Sequence, residues 1–567
     1  MRVTCFVWLL LLFPAFWCDL LSAQPDDDTP WRMGAELSGF HLVVPGDASP
    51  LLRETGAVFQ RLWRVATRRA ISVSDANEGL TNVWLGSGII PSDLLEPYER
   101  DALLPEEYLV RTFIPKTRFS RQGAEKQLFI TGGSDLAVLR GVHAFFAHEM
   151  GVMWLEPGLV YAPKAVSALH DMDFGGFPEF KFCQIGLLSC WKEGVAEYRL
   201  ANGLSSAAVC EPGLPDYFNA YDRAPDPATP AEALVAYGSE GGARRLVEEI
   251  KAAAAASGGQ GAGAVPSGRD CPFLWETEKT NLWLLAAMTQ FQPVLSEEGR
   301  ALNEQEASPA AAILSTANAV AELLEESFPV DTHLVHVLLP PGMPPPRQLR
   351  SHPGVVVQLS TAECDFARPL TDRDSPENAK FTALLQGWRQ SGARVYVYDH
   401  LVNARDPRLP FPCLDHLQAN ILFYAQSGIE GVYFAGLPDG CAGGADLAAL
   451  RLFLAARLLF NPDASVEEGQ RLFLEGYYGP AAATMENHLS LMRKALVRSG
   501  NPLKSTDDGA WLTDEVLNQA VEGLQEALRR DLPDEIRARM EDVLASTTHV
   551  QALRGPASAG PAASGGR

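Results

Sequence analysis

The feature that most constrains the fold is a long alternation of short apolar segments with helical segments between residues 175 and 460. Six apolar segments have the length and composition of buried strands: KFCQIGLL (181–188), NLWLLAAM (281–288), THLVHVLLP (332–340), GVVVQLS (354–360), RVYVYD (394–399) and GVYFAG (431–436). Patterns with helical periodicity separate several of them, for example residues 311–327 and 378–392. Repeated β/α units over this length favour a (β/α)8 TIM-like barrel over a doubly wound sheet. We therefore predict such a barrel over residues 173–462.

A second alternation precedes the barrel and predicts an N-terminal α/β sandwich domain over residues 24–172. HLVVP (41–45), NVWLG (82–86) and LFITG (128–132) have the composition of short buried strands. Residues 51–68 carry apolar side chains at helical spacing between the first two. Such an order favours a mostly parallel or mixed sheet with helical cover, so the overall fold class is α/β.

The segment LFITGGSDLAVLRGVHAFFAHEMGVMWLEPG (128–158) places two glycines between a strand and an amphipathic helix. We expect Gly132 and Gly133 to form a tight turn with positive φ, and Ser134 or Asp135 to cap the helix. A phosphate-binding turn would need the third glycine and acidic partner of a dinucleotide fold, or the Lys-Ser/Thr of a P-loop. The segment has neither, so it is predicted to be architectural.

The two ends of the chain carry different signals. Arg2, the apolar run 3–17 and the small residues up to Ala23 predict a signal peptide over residues 1–23, and hence a secreted, periplasmic or cell-envelope protein. Beyond it no segment is long and apolar enough to predict a membrane span. Helical patterns from residue 463 predict a C-terminal helical region to residue 550, and residues 551–567 are predicted to be disordered.

Charge and cysteine content limit the partners and the compartment. The net charge of −23 argues against nucleic acid and anionic membrane surfaces as partners. Of nine cysteines, Cys5 and Cys18 fall in the predicted signal peptide, and the others are scattered and odd in number. They form no disulfide-scaffold pattern, although one or two bridges would fit an oxidising compartment, and their pairing is not predicted.

Residues 128–158 closely resemble the N-terminal domain of alpha-glucuronidases and related glycoside hydrolases. The whole chain is similar to a large bacterial family of exported proteins of unknown function, which join this domain to a barrel and a helical tail. The motifs that carry this similarity lie at residues 360–370 (STAECDFARPL), 384–403, 410–436, 450–464 and 473–482. The resemblance implies a glycoside-hydrolase-like barrel that acts in carbohydrate metabolism.

Two departures from that family bear on chemistry. The family carries an Asn-Asp segment followed by closely spaced cysteines near the third barrel strand, and residues 283–309 of this chain lack both. Toward the seventh or eighth strand the family often reads Gly-Val-Phe-Glu-Gln-Gly, whereas this chain reads GVYFAG, with Phe434 in place of the glutamate. Both changes remove polar groups, which indicates that the ancestral chemistry was lost or never present.

Catalytic candidates follow from the position of barrel active sites at the C-terminal ends of the strands. Glycosidic cleavage needs two carboxyl groups, one protonated and one ionised. Glu363 follows GVVVQLS and Asp399 ends RVYVYD, so we predict them as the catalytic pair without assigning their roles. The alternative is that both carboxylates pair with nearby arginines and fix loops.

The same strand ends supply predicted substrate-binding residues: Trp191, Asp365, Arg368, His400 and Asn403. Trp191 follows a strand end, where its ring could stack on a sugar face. Arg368 could hold the carboxylate of a uronic acid, and a structural ion pair is the alternative. Tyr396 and Tyr398 alternate along one strand and are expected to pack.

Neither a metal nor a cofactor is expected. His333 and His336 are three residues apart on a predicted strand, so their imidazoles point to opposite faces and do not suit one metal ion.

Three functions remain open. The first is hydrolysis of O-glycosidic bonds in polysaccharide, with carbohydrate as substrate. The second is a non-catalytic carbohydrate-binding relative with a degenerate active site, and the third is an oligomeric envelope scaffold; a homo-oligomer is left open in every case.

Overall fold

The computed structural model describes residues 40–75, 81–86, 103–113, 127–163, 166, 169–204, 238–244, 247–248, 281–286, 295–327, 333–435 and 444–554. The predicted signal peptide and residues 555–567 lie outside this set. The chain divides into two units, the first formed by residues up to 153 with 161–177, and the second by 154–160 with everything from 178 onward.

The first unit contains a six-stranded mixed sheet in the order β2-β1-β3-β5-β4-β8. Its strands are β1 (Phe40–Val43), β2 (Ser72–Ser74), β3 (Thr81–Leu85), β4 (Tyr108–Phe113), β5 (Gln127–Gly132) and β8 (Asp173–Gly176). Between β5 and β8 in sequence, β6 (Met153–Glu156) and β7 (Leu159–Tyr161) form a separate two-stranded sheet, and their residues 154–160 belong to the second unit. Strands β1, β2, β3 and β5 pair in parallel, whereas β4 is antiparallel to β5 and β8. The three predicted strands and the mixed sheet are confirmed, and β2, β4 and β8 were not predicted.

Two helices cover this sheet, α1 (Pro50–Thr67) and α2 (Asp135–His148). They pack against each other, and α2 also packs on β4 and β5. Phe59 on α1 lies with its ring centroid 5.8 Å from that of Phe145 and 4.9 Å from that of Phe146 on α2. The apolar faces that the sequence predicted for both helices therefore meet in one aromatic core.

The turn between β5 and α2 uses its glycines differently from the prediction. Ser134 caps α2, because its Oγ accepts a hydrogen bond of 3.2 Å from the backbone N–H of Ala137. The expected positive φ is wrong for Gly132 and Gly133. A Cβ on Gly132 would lie 2.6 Å from Ala137 Cβ, and one on Gly133 would collide with the carbonyl oxygen of Leu104. Close backbone approach, and not handedness, therefore requires glycine here.

The second unit contains a six-stranded sheet in the order β10-β11-β12-β13-β14-β9, with every pair parallel. The strands are β9 (Phe182–Ile185), β10 (Asn281–Ala286), β11 (His333–Leu339), β12 (Val355–Ser360), β13 (Arg394–Asp399) and β14 (Gly431–Phe434). All six predicted strands of this region are confirmed. The first of them, β9, pairs with the last, β14.

This parallel sheet is strongly curved. The ring centroid of Phe182 on β9 lies 5.4 Å from those of His336 on β11 and Tyr396 on β13. Strands β12, β13 and β14 separate β9 from β11, so a flat sheet with strands about 4.8 Å apart would place β9 and β11 about 19 Å apart. The sheet therefore curls around an interior that holds these side chains. Its closure into an eight-stranded barrel remains a prediction.

Helices follow the strands of the second unit: α3 (Val195–Ala201), α4 (Glu297–Glu306), α5 (Ala311–Ser327), α6 (Pro376–Gln390), α7 (Leu417–Gln426) and α8 (Ala448–Phe460). The C-terminal region contains α9 (Val466–Tyr478), α10 (Ala482–Ser499), α11 (Asp514–Leu528) and α12 (Asp534–Arg554). The last helix corrects the predicted start of the disordered tail at residue 551. The last residue of this helix, Arg554, donates a hydrogen bond of 2.6 Å to the carbonyl oxygen of Gly509, which fixes the end of the helix.

No single helix in the described part of the chain has the length and apolar composition of a membrane span. Helices α4 and α5 meet those criteria only when taken together, and they are bent by 112° where they join.

Candidate functional site

Four side chains form a row on the interior face of the curved sheet, near the C-terminal ends of neighbouring strands. Ser360 on β12 pairs in register with Tyr398 on β13, Tyr398 with Tyr433 on β14, and Tyr433 with Gln184 on β9. The rings of Tyr398 and Tyr433 are stacked, with centroids 5.2 Å apart and an interplanar angle of 25°. We call these four residues the interior row.

Strand alternation explains why these residues share one face. Successive side chains of a strand point to opposite sides, so Tyr396 and Tyr398 face the interior while Val395 and Val397 face the helices. Tyr396, Tyr398 and Tyr433 belong to one buried cluster with Phe182. The expectation that Tyr396 and Tyr398 pack is confirmed, and their packing partners come from other strands.

Three nitrogens near this interior are buried and have no hydrogen-bond partner among the residues that the structure describes: Nε2 of Gln184, of His336 and of His400. The Nδ1 of His336 lies 3.2 Å from the side-chain nitrogen of Gln358. Burial lowers the pKa of His400 to about 4 and that of His336 to about 3, so both rings are neutral at pH 7. A buried polar group without a partner costs about 1–3 kcal/mol, which a ligand or water would recover.

The carboxylate of Asp399, one of the predicted catalytic residues, is buried and accepts three hydrogen bonds. Its Oδ1 accepts from Thr361 Oγ1 at 2.6 Å and from the backbone N–H of His400 at 2.8 Å. Its Oδ2 accepts from the hydroxyl of Tyr424 at 2.8 Å. Burial raises the pKa of Asp399, and these three hydrogen bonds oppose the rise.

The orientation of Asp399 separates it from the interior row. It follows Tyr398 on β13, so its side chain points to the opposite face, where Tyr424 on α7 receives it. Phe434 pairs in register with Asp399 and is buried on that same face. The position where the family that the sequence resembles often has a glutamate therefore lies on the helix-facing side here.

Glu363, the other predicted catalytic residue, is exposed in the loop after β12. Its carbonyl oxygen accepts a hydrogen bond of 2.9 Å from Lys504 Nζ, which also forms an ion pair of 3.0 Å with Glu377. One predicted carboxylate is thus in solvent and the other is buried against a helix. Their role as a catalytic pair stays a prediction.

Asp365 and Arg368 make contacts within the protein. The Oδ1 atom of buried Asp365 accepts from the backbone N–H groups of Ala367 at 3.0 Å and Leu503 at 2.9 Å. Arg368 donates to Asp372 at 3.0 Å and lies 3.7 Å from Asp365. The contacts of Arg368 are those of the structural ion pair that was its alternative, and substrate binding by Asp365 or Arg368 stays a prediction.

Asn403 and Trp191 also have internal partners. The side-chain nitrogen of Asn403 donates to the carbonyl oxygen of Asp507 at 2.7 Å. The indole nitrogen of half-buried Trp191 donates to Glu156 at 3.2 Å, and Glu156 also accepts from the Tyr477 hydroxyl at 3.0 Å. These hydrogen bonds do not test the predicted substrate contacts of Asn403 and Trp191. Part of the Trp191 ring remains exposed to solvent.

A segment from the C-terminal region, residues 503–507, binds the loops that follow β12 and β13. Ser505 donates from its hydroxyl to the carbonyl oxygen of Ala362 at 2.8 Å and accepts at its own carbonyl from Ala404 N–H at 2.7 Å. Leu503 accepts from Phe366 N–H at 2.8 Å. We call residues 503–507 the C-terminal strap. Sequence reasoning missed it because its partners lie about 100 to 140 residues away.

Metal binding finds no support in the described part of the structure, where no group of three or more His, Cys, Asp or Glu side chains could hold an ion. Cysteine side chains also lie in this part of the chain. Cys183, Cys364 and Cys413 are buried, and Cys190 is disulfide-bonded.

Comparison with known families finds one match. Residues 276–489 match the profile of a family described as "Domain of unknown function (DUF4838)". The expected similarity to a family of unknown function is therefore confirmed for this part of the chain. Among curated proteins, none matches the chain significantly.

Solved structures with detectable similarity include glycoside hydrolases. One is a family GH115 4-O-methyl-alpha-glucuronidase with specificity for decorated arabinogalactans (TM-score 0.45, 13% identity, 91% of this chain and 72% of that chain). Others are a GH138 enzyme targeting pectin rhamnogalacturonan II (0.44, 10%, 90% and 69%) and a Streptomyces plicatus N-acetyl-beta-hexosaminidase (0.39, 14%, 80% and 92%). These TM-scores are too low for the similarity to carry an argument about this chain.

Proposed function

We propose that this chain is an exported carbohydrate-binding protein built on a glycoside-hydrolase-like (β/α)8 barrel, with the interior row as the floor of its binding site. One observation carries the proposal. At the ends of β9 and β12–β14, the described interior positions present two stacked tyrosines and the unpartnered nitrogens of Gln184 and His400, and no carboxyl group.

The curvature of the parallel sheet supports the barrel. Phe182, His336 and Tyr396 come from three strands and meet around one interior, as side chains do inside a barrel. Ligands of parallel α/β folds bind at the C-terminal ends of the strands, which is the end where the interior row lies.

The chemistry of the interior row suits a sugar better than a charged ligand. Aromatic rings offer flat apolar faces to the C–H groups of a pyranose ring. Amide and neutral imidazole nitrogens donate to or accept from hydroxyl groups without adding charge. A few well-placed polar groups in a mostly apolar, aromatic surface are typical of small-molecule sites.

Export is the second part of the proposal. The N-terminal sequence has the three regions of a signal peptide, and the disulfide at Cys190 is a bond that persists in oxidising compartments. Both observations support a secreted, periplasmic or envelope location.

Hydrolysis is the second candidate function, and one observation favours it. Burial raises the pKa of Asp399, which is the condition that a general acid needs near neutral pH. Against that role, its carboxylate faces α7 and accepts three hydrogen bonds, and Glu363 is exposed outside the interior row. Binding without turnover is therefore the better supported function.

A glycan panel separates the two functions. The full mature protein is tested for binding to neutral and uronic-acid-bearing polysaccharides and, in parallel, for release of reducing sugar. We expect saturable binding without release. The variant Gln184→Leu should lose most of the binding, while Gln418→Leu, which changes a half-buried glutamine on α7, should retain it.

Release of reducing sugar that disappears in Glu363→Gln or Asp399→Asn would contradict the binding proposal and restore the predicted catalytic pair. Absence of both binding and release across the panel would reject the carbohydrate assignment. Equal binding by wild type and Gln184→Leu would reject the interior row as the site.

A further inference from the structure

A concave surface lies in the helical region, between α9 and α10, and shares no residue with the interior row. Its outer part is a cavity of about 520 Å³, and a smaller inner chamber of about 30 Å³ adjoins it. Asp415, Gln470 and Arg493 line both volumes, so the chamber is the deep end of the same depression. We call the two volumes together the α9–α10 groove.

The rim of this groove favours cations. Its charged residues are Asp415, Glu467, Glu475, Glu486, Arg471 and Arg493. Both arginines are already paired, Arg493 with Asp415 at 2.6 Å and Arg471 with Glu475 at 2.8 Å. Glu467 and Glu486 accept hydrogen bonds from neutral groups only, at 3.1 Å from Ser465 and 2.8 Å from Gln470. Their two negative charges therefore face the cavity without a cationic partner among the described residues.

A buried histidine, His488, lines the inner chamber of the groove. His488 on α10 is 5% exposed, and its Nδ1 has no hydrogen-bond partner in the described structure. Burial lowers its pKa, which favours the neutral ring, and a neutral imidazole has one nitrogen that accepts a hydrogen bond. The adjoining chamber is large enough for one group of the size of water or ammonium.

The remaining wall of the chamber does not repel a cation. Arg451 forms an ion pair of 2.6 Å with Asp446 and donates to the carbonyl oxygens of Leu401 at 2.9 Å and Phe411 at 2.7 Å. Its charge is thus balanced within the protein. Apolar side chains, among them Val466, Leu474 and Met492, line the path between the chamber and the rim.

We propose that the α9–α10 groove binds an aliphatic diamine or polyamine. One ammonium group enters the chamber and donates to His488, and another lies between Glu467 and Glu486 at the rim. The methylene chain between them packs on the apolar wall. The proposal is independent of the carbohydrate site, because it uses neither the interior row nor the loops after β12 and β13.

The test is isothermal titration of the full mature protein with 1,5-diaminopentane, compared with 1-aminopentane and 1,5-pentanediol. We expect the diamine to bind at least about tenfold more tightly than the monoamine, and the diol not to bind. Added salt should weaken diamine binding, because the rim charges are exposed. No diamine binding at millimolar concentration, or equal binding of the diol, would overturn the proposal.

Variants locate the site. Glu467→Gln and Glu486→Gln change exposed carboxylates and should fold normally, and together they should weaken diamine binding about tenfold or more. Glu522→Gln, an exposed change on α11, is the matched control and should leave affinity unchanged. His488→Leu should also weaken binding; if that variant fails to fold, the double glutamine variant decides. Unchanged affinity in the double variant would reject this groove.

Discussion

The hydroxyl of Tyr424 on α7 donates a hydrogen bond of 2.8 Å to Oδ2 of Asp399, the last residue of β13. This bond draws the carboxylate to the helix-facing side of the sheet, away from Tyr398 and the interior row. A carboxylate at a strand end is therefore not sufficient for a barrel-type active site. The side to which it points decides its role.

Removing that hydroxyl should destabilise the protein. Tyr424→Phe leaves one buried carboxylate oxygen without its donor, which we expect to lower the free energy of unfolding by about 1–3 kcal/mol. Urea denaturation followed by circular dichroism measures the change. Tyr161→Phe, at a partly exposed tyrosine, is the control and should shift the midpoint little. Equal midpoints for both variants would mean that the Tyr424–Asp399 bond contributes nothing.

The pH dependence of stability should report the buried Asp399. Burial raises its pKa in the folded protein, so the folded state binds more protons than the unfolded state above the ordinary carboxyl pKa of about 4. Stability from this group is full below that pKa and is lost as pH rises through the raised pKa. Asp399→Asn should remove this loss. Unfolding free energies of both proteins across that pH window provide the measurement, and parallel curves would contradict the prediction.

Because Asp365 binds the C-terminal strap as well as its own loop, replacing it should destabilise the protein more than the loss of a loop contact alone. Asp365→Ala removes the acceptor for the backbone N–H groups of Ala367 and Leu503, and should cost about 1–3 kcal/mol of unfolding free energy. Asp374→Ala changes an exposed carboxylate in the same region and should cost far less. Limited proteolysis gives a second measurement, since cleavage near residues 500–507 should accelerate only in Asp365→Ala. Equal cleavage rates would show that the strap is held without Asp365.

The strands that were predicted could be recognised because each is a short apolar run whose burial follows from its own composition. Strand β4 was missed because YLVRTF carries an arginine and alternates weakly, and its place depends on pairing with β5 and β8. The positive φ expected at Gly132 and Gly133 failed for a related reason. The carbonyl of Leu104 that crowds Gly133 belongs to a distant loop, which no local pattern reveals.

The candidate site was less predictable than the fold. Sequence alone gives the alternation of Tyr398 and Asp399 but not which of the two faces the interior, since that depends on how the sheet curls. The strap and the α9–α10 groove arise from packing between segments far apart in sequence. Gln184 was overlooked because a single glutamine in an apolar strand does not indicate a binding site from sequence alone. Only the structure shows that its side-chain nitrogen is buried without a hydrogen-bond partner among the described residues.

The buried ion pair of Asp446 and Arg451 should be sensitive to the loss of one member. Arg451 is fully buried and donates to Asp446 and to two carbonyl oxygens, so Arg451→Met leaves an uncompensated carboxylate inside the protein. We expect a loss of about 3–5 kcal/mol, measured by chemical denaturation. The double variant Asp446→Leu with Arg451→Met should recover part of it. A double variant no more stable than Arg451→Met would mean that the stranded charge is not the cause.

The cysteines should differ in when they react with a thiol reagent. Cys364 and Cys413 are buried, and burial raises the pKa of Cys413 to about 11 and that of Cys364 well above its usual value, so little thiolate forms at pH 8. Maleimide labelling followed by peptide mass spectrometry should leave both unmodified until the protein is unfolded. Cys190 should stay unmodified even after unfolding, unless a reductant first opens its disulfide. Labelling of Cys190 in unfolded, unreduced protein purified from an oxidising compartment would contradict the disulfide, and with it one of the two supports for export.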